Sequence, residues 1–243
     1  MGRGRRLLAL AVAALLLISA GPAAAEESSA TGPAPLPADF PALTLALPRP
    51  PQPTRTDPRT VIGAFSTMIN GCRLVRWNNC TALGDHYVDG GGHDFRVDLS
   101  ALIAADEGIR SAITSQLESA VAAALETSGS STLETPLKTR WRNTPVTNND
   151  WRLALGTAAI RTTGTVSLGP DTDGTRTVEL EVRAHIVDVY DFSPCRGDDP
   201  FCIYRHLHNL GHATEFLVHG STDVVTVTST VEDMPAALAQ LDW

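Results

Sequence analysis

The feature that most constrains this chain is a change of period near residue 141. Upstream, Ile109, Ile113, Leu117, Val121 and Leu125 recur at steps of four, the spacing that places apolar side chains on one face of a helix. Downstream, Trp151, Leu153 and Leu155 alternate with Arg152 and Ala154, and Val166 and Leu168 continue beyond Gly164. A period of two belongs to a strand with one buried face. Pro170-Asp171-Thr172-Asp173-Gly174 then carries hairpin-turn chemistry, and Val178, Leu180, Val182, Ala184 and Ile186 form the return strand. The alternation slips at Val187 and Val189, which predicts a bulge near Ile186 or a strand buried on both faces. Residues 224–231 add a third strand.

Three further segments complete the expected order. Asp57 and Pro58 open a helix that carries Val61, Ile62, Phe65, Met68 and Ile69 and ends at Gly71. Residues 72–93, rich in Gly, Asn and His, are expected to be irregular, with a short extended run at Phe95, Val97 and Leu99. The four-residue period spans a helix over 106–127, closed by the Ser-Gly-Ser-Ser run at 128–131. Residues 200–220 are expected to form a further helix. The fold class is α+β: N-terminal helices, then an antiparallel sheet with a packed helix, and two short-range disulfides.

The ends of the chain speak to compartment. Arg3, Arg5 and Arg6, the apolar run 7–20 and Ala23-Ala24-Ala25 read as a signal peptide over 1–25. The run is too short for a membrane span, so a secreted protein with no stable anchor after cleavage is expected. Residues 26–56 read as a Pro-rich linker and 57–243 as one domain. An exported chain with four cysteines favours disulfides over zinc, and proximity pairs Cys72 with Cys80 and Cys195 with Cys202. The net charge is −8, and three of the 19 basic side chains lie in the leader. So acidic a domain is a poor partner for nucleic acid. Lys138 is the single lysine, a bias towards arginine that points to a GC-rich genome.

Candidate chemistry falls in three places. Asp188, Tyr190 and Asp191 stand at the end of the return strand, with Arg205 and His206 beyond the 195–202 loop. Two carboxylates and a phenol there could hold a divalent ion or act on a phosphoryl group. On a helix over 200–220, His208, His212, Glu215 and His219 would share a face at metal-ligand spacing, whereas His206 would flank the apolar stripe. The candidate ions are Mg²⁺ or Zn²⁺. The third place is the glycine-rich segment 84–94, where Asp85, His86, Asp89 and His93 could gather around an ion. GxSxG, HExxH and the Walker lysine are absent, which removes the standard hydrolase and nucleotide-binding signatures.

Two resemblances follow from these residues. The blocks GGGHDFRVDLSALI, DWRLALGTAAIRTTGTVSL, VRAHIVDVYDF and LHNLGHATEFLVHGS resemble uncharacterised secreted actinobacterial proteins and polymorphic-toxin-like C-terminal domains. That resemblance covers roughly residues 60–222 and implies no activity. Over a shorter stretch, Asp188-x-Tyr190-Asp191 resembles the catalytic segment of colicin M-type bacteriocins. This second resemblance implies Mg²⁺-dependent cleavage of the peptidoglycan precursor lipid II, with Asp188, Tyr190 and Asp191 at matching positions. The family's His-Arg step comes a few residues on; here Arg205-His206 follows later and in reversed order. Three functions are therefore expected in competition. One is a non-catalytic module binding an envelope component or a protein, another a colicin M-like phosphodiesterase, and the third a His/Glu metal-binding protein.

Overall fold

A computed structural model describes residues 57–192 and 202–243. The signal peptide, the linker and the Cys195–Cys202 pairing lie outside the described residues.

The chain opens with α1 (Pro58–Leu74), capped by the Asp57 side chain, which accepts from the Arg59 N–H at 3.3 Å. Val61, Phe65, Ile69 and Cys72 form its buried face. The expected stop at Gly71 is not made, because a glycine inside a helix weakens it without ending it. The expectation of irregular structure over 72–93 is overturned by α2 (Asn78–Asp89), which buries Cys80, Leu83, Gly84 and Tyr87 at steps of three and one. Its first turn has no side-chain cap of its own; Asp150 supplies one, accepting from the Cys80 N–H at 2.8 Å and the Asn79 side-chain amide at 2.8 Å. The Cys72–Cys80 disulfide ties α1 to α2.

The extended run expected over Phe95, Val97 and Leu99 shrinks to β1 (Phe95–Arg96), because Asp98 caps α3 (Leu99–Ala105) by accepting from the Ala101 N–H. Next comes α4 (Glu107–Ser128), whose buried Ile109, Ile113, Leu117 and Val121 follow the period read from the sequence. Then follow β2 (Leu133–Lys138), β3 (Arg142–Pro145) and α5 (Asn149–Leu155). Trp151, Leu153 and Leu155 were expected to begin a strand; they lie on α5 instead. Asn148 accepts from the N–H groups of Asp150 and Trp151 and so starts a helix there.

Two long strands form the centre: β4 (Thr157–Thr172) and β5 (Thr175–Tyr190), joined through Asp173-Gly174. They pair without interruption from Ala159↔Val187 to Leu168↔Val178, and the register shifts between Leu168 and Asp171 rather than near Ile186. The slip in the hydrophobic pattern has its other cause, burial on both faces: Ala184, His185, Ile186 and Val187 are all buried. Gly164 is positioned where a Cβ would collide with the Glu181 carbonyl of the neighbouring strand, so only glycine fits that approach.

The remaining elements are α6 (Cys202–Asn209), β6 (Phe216–Ser221), β7 (Val225–Thr230) and α7 (Met234–Ala239). The strand expected at 224–231 is β7, and β6 takes part of what was expected to be helix. Gly211, at φ 73°, turns the chain out of α6, so no single helix spans 200–220. The sheet runs β1-β6-β5-β4-β2, with β3 on β4 and β7 on β5. All pairs are antiparallel except β1–β6, and the α+β class holds. The helices cover one face: Val178, Leu180, Val182, Ala184, Ile186 and Tyr190 of β5 join the main core with residues of α1 to α5. Ala159, Val187 and Leu217 form a smaller cluster on the other face. No helix among the described residues is long and apolar enough to cross a membrane.

Candidate functional site at the end of strand β5

Strand alternation places Asp188 on the same face as Ile186 and Tyr190. A carboxylate therefore stands on the side of β5 that the helices cover, directly opposite Val218 of β6. Burial pushes its pKa well above the usual carboxylate value, the nearby Asp191 charge pushes the same way, and a hydrogen bond from the Val189 backbone opposes both. Desolvation favours the neutral form because a charge in a low-dielectric surrounding loses its hydration. Asp188 is thus held as a proton-bearing acid over a wider pH range than an exposed aspartate.

Around it lies a group of rings. Tyr190 stacks on Phe216 at 5.0 Å, and Phe192 meets Tyr190 at 5.0 Å, Tyr87 at 5.2 Å and Tyr204 at 5.4 Å. Tyr87 and Tyr190 are 0% and 4% exposed, and neither hydroxyl has a hydrogen-bond partner. Burial raises both phenols, so both remain protonated. Buried hydroxyls are almost always hydrogen-bonded; these two are exceptions, side by side.

The charged neighbours of Tyr87 define the rest. After burial, Glu215, Tyr190 and Asp191 raise its pKa, and Arg205 lowers it. These residues come from α2, the end of β5, α6 and the approach to β6, so four separate segments converge. One backbone contact ties α2 to the segment before β6, and a turn follows β5. The Thr214 N–H donates to the Tyr87 carbonyl at 2.9 Å, and Phe192 takes a left-handed φ of 52° that bends the chain just after Asp191. Asp191 acts on Tyr87 although strand parity alone would send it to the other face.

No family model matches this chain, and no curated protein matches it. Among solved structures it is similar to PaeM, a colicin M-like bacteriocin of Pseudomonas aeruginosa: 17% identity, 63% of this chain, 50% of that chain, TM-score 0.37. It is also similar to truncated syringacin M from Pseudomonas syringae pv. tomato (20% identity, 63% and 60% coverage, TM-score 0.34). A third is pectocin M2 (17% identity, 63% and 53% coverage, TM-score 0.34). The chain spans about half the length of these proteins, and overlaps this loose do not establish a common fold. The resemblance to actinobacterial proteins and polymorphic toxins finds no counterpart among these matches, whereas bacteriocins are among them.

The expected sites fare differently. Asp188, Tyr190, Asp191 and Arg205 are brought into one neighbourhood, and His206 follows Arg205 on α6 with an Nδ1 that has no partner. The His/Glu metal set is not brought together. His208 is buried on α6, His212 is exposed after the Gly211 turn, and Glu215 belongs to the Tyr87 group. His219 stands on β6, 4.0 Å from Asp94, its pKa lowered mainly by burial.

The 84–94 segment is no ion-binding loop either. Asp85 pairs with Arg73 at 2.7 Å, and the His86 ring nitrogen reaches the His93 carbonyl at 2.7 Å while its ring lies 4.5 Å from Phe216. Among the described residues no three His, Cys, Asp or Glu side chains are gathered closely enough to hold a metal ion. The His/Glu set expected to hold a metal is therefore not assembled among the described residues, whereas Asp188 and Asp191 are neighbours. Tyr87 was missed by sequence reading; the spacing Cys80, Leu83, Gly84, Tyr87 was the signal for its helix.

Proposed function

We propose that the end of β5 is the active centre of a hydrolase acting on a phosphoryl ester of a lipid-linked precursor, with lipid II as the substrate class. The observation that carries this reading is Asp188, a carboxyl whose pKa is raised by burial, beside two buried phenols without partners. A general acid is what departure of a poorly acidic prenyl alcohol requires.

In the proposed step, water adds to phosphorus as the ester P–O bond to the prenyl oxygen breaks. Asp188 gives its proton to the departing oxygen, and Asp191 takes one from the attacking water. The products are a free prenol and a phosphorylated headgroup. Arg205 offsets charge building on the phosphoryl oxygens, and the Tyr87 and Tyr190 hydroxyls donate to the same group. His206, next to Arg205, is placed to extend that contact.

Secretion and an envelope-located substrate fit one another in this reading. A module that merely binds an envelope component or a protein predicts a different result. Incubating the full chain with purified lipid II in Mg²⁺-containing buffer should release phosphorylated headgroup, and Asp188→Asn should stop it. No release from the unaltered chain leaves only the binding role.

A further inference from the structure

A second feature lies away from the Asp188 group. Between α4 and the edge strand β2 runs a groove of about 790 Å³. Its α4 wall is made of small residues, among them Ala120, Ala123 and Ala124, and Leu133 and Val166 face them from the sheet. The buried polar side chain of its lining, Gln116, is already occupied. Its amide donates to the Ile160 carbonyl at 3.1 Å, and its oxygen accepts from the Thr139 hydroxyl at 2.8 Å. The floor thus offers mainly carbon, which suits an alkyl chain better than a sugar or a peptide backbone.

One end of the groove is different. Lys138, Arg140 and Arg142 line it within five residues of sequence. Between them lies Trp141, whose ring carries the Arg161 guanidinium at 4.8 Å. The chain has 27 acidic side chains against 19 basic ones, yet no aspartate or glutamate lines this groove. Arg140 and Arg142 beside a carbon-lined channel, in an acidic protein, select for an anionic head on an apolar tail.

We infer that the groove between α4 and β2 binds a single-chain lipid carrying a phosphate head, the tail along the α4 alanines and the phosphate at Arg140 and Arg142. The inference concerns binding alone and stands whether or not Asp188 performs hydrolysis.

The test uses the full chain and isothermal titration calorimetry with dodecyl phosphate below its critical micelle concentration. Inorganic phosphate and dodecyl maltoside serve as comparisons. Dodecyl phosphate should bind one-to-one and at least about tenfold tighter than either comparison, since each lacks half of the recognition. The double variant Arg140→Ala/Arg142→Ala should weaken it about tenfold and flatten its salt dependence. Ala123→Trp, at an exposed position, should block the channel; thermal melting of each variant shows that it is folded. Absence of binding overturns the inference, and so does equal binding by the folded variants. Inorganic phosphate binding as tightly as dodecyl phosphate overturns the lipid assignment too.

Discussion

Two aspartates, Asp106 and Asp188, carry the same side chain out of water into opposite circumstances. Asp106 is 1% exposed and joins two parts of the fold. It accepts from the Ile109 N–H at the start of α4, from the Thr147 N–H at 2.6 Å and hydroxyl at 3.1 Å, and from the Asn148 N–H at 2.7 Å. Burial alone would raise its pKa, but these donors prevail and hold it below the usual carboxylate value. At Asp188 burial prevails over a single backbone hydrogen bond, and the pKa rises. A carboxylate surrounded by donors is a structural joint. One left short of donors inside a fold gives up its proton less readily.

The comparison breaks most visibly at Asp188. Asp188→Asn removes the acid while keeping shape, so hydrolysis of lipid II should fall by about 10²–10⁴, measured as headgroup release. The folded state should not lose stability at pH 7, because the variant no longer places an ionisable group where ionisation is unfavourable. Asp106→Ala should do the reverse. It strands three backbone N–H groups, each worth about 1–3 kcal/mol when unsatisfied. With partial relief by water the loss should be about 3 kcal/mol in urea unfolding, with little effect on turnover by the remaining folded enzyme. Equal stability losses from the two substitutions would end the distinction.

The same contrast predicts pH slopes of opposite sign. The folded pKa of Asp106 lies below its unfolded value, so its contribution is complete above about pH 4 and is lost as pH falls through the folded pKa. The folded pKa of Asp188 lies above its unfolded value. Its unfavourable contribution is absent below about pH 4 and grows as pH rises towards the folded pKa. Subtracting the unfolding free energy of Asp188→Asn from that of the unaltered chain should therefore give a difference that declines from pH 4 upward. The same subtraction with Asp106→Ala should give one that rises with pH from the acid side. A flat curve for Asp188→Asn would mean that Asp188 ionises like an exposed aspartate, and one rising like that of Asp106→Ala would mean that its folded pKa is lowered.

Asp188 was legible from its spacing to Tyr190 and Asp191, and Asp106 from its place before the four-residue period of α4. Both lie in long elements, where many residues repeat one pattern. Short elements were less readable. Seven residues of α5 contain Trp151, Leu153 and Leu155 at strand spacing, and only the Asn148 cap distinguishes the helix. Likewise α2 hides its buried face among Asn, Gly and His. The His-bearing stretch misled because a period continued across Gly211 looks like one helix, while the backbone reverses there into β6. Tyr87 and Glu215 could not be assigned to Asp191 and Arg205 from sequence. They meet only through the packing of α2 against the segment before β6, and no local spacing encodes that contact.

Asp85 extends the comparison to a carboxylate that stays in water. Arg73 holds both its oxygens at 2.7 and 2.8 Å, a geometry as good as any at Asp106. The two side chains are 52% and 46% exposed, so each keeps most of its hydration when the pair is broken. Solvent screening and the entropy of fixing two flexible side chains consume most of the attraction. Asp85→Ala should therefore shift stability by less than about 0.5 kcal/mol, and a double-mutant cycle with Arg73→Ala should give a coupling no larger. A loss approaching that of Asp106→Ala would show that the number of partners, and not desolvation, ranks these three aspartates. The assignment of Asp188 by its missing donors would then lose its basis.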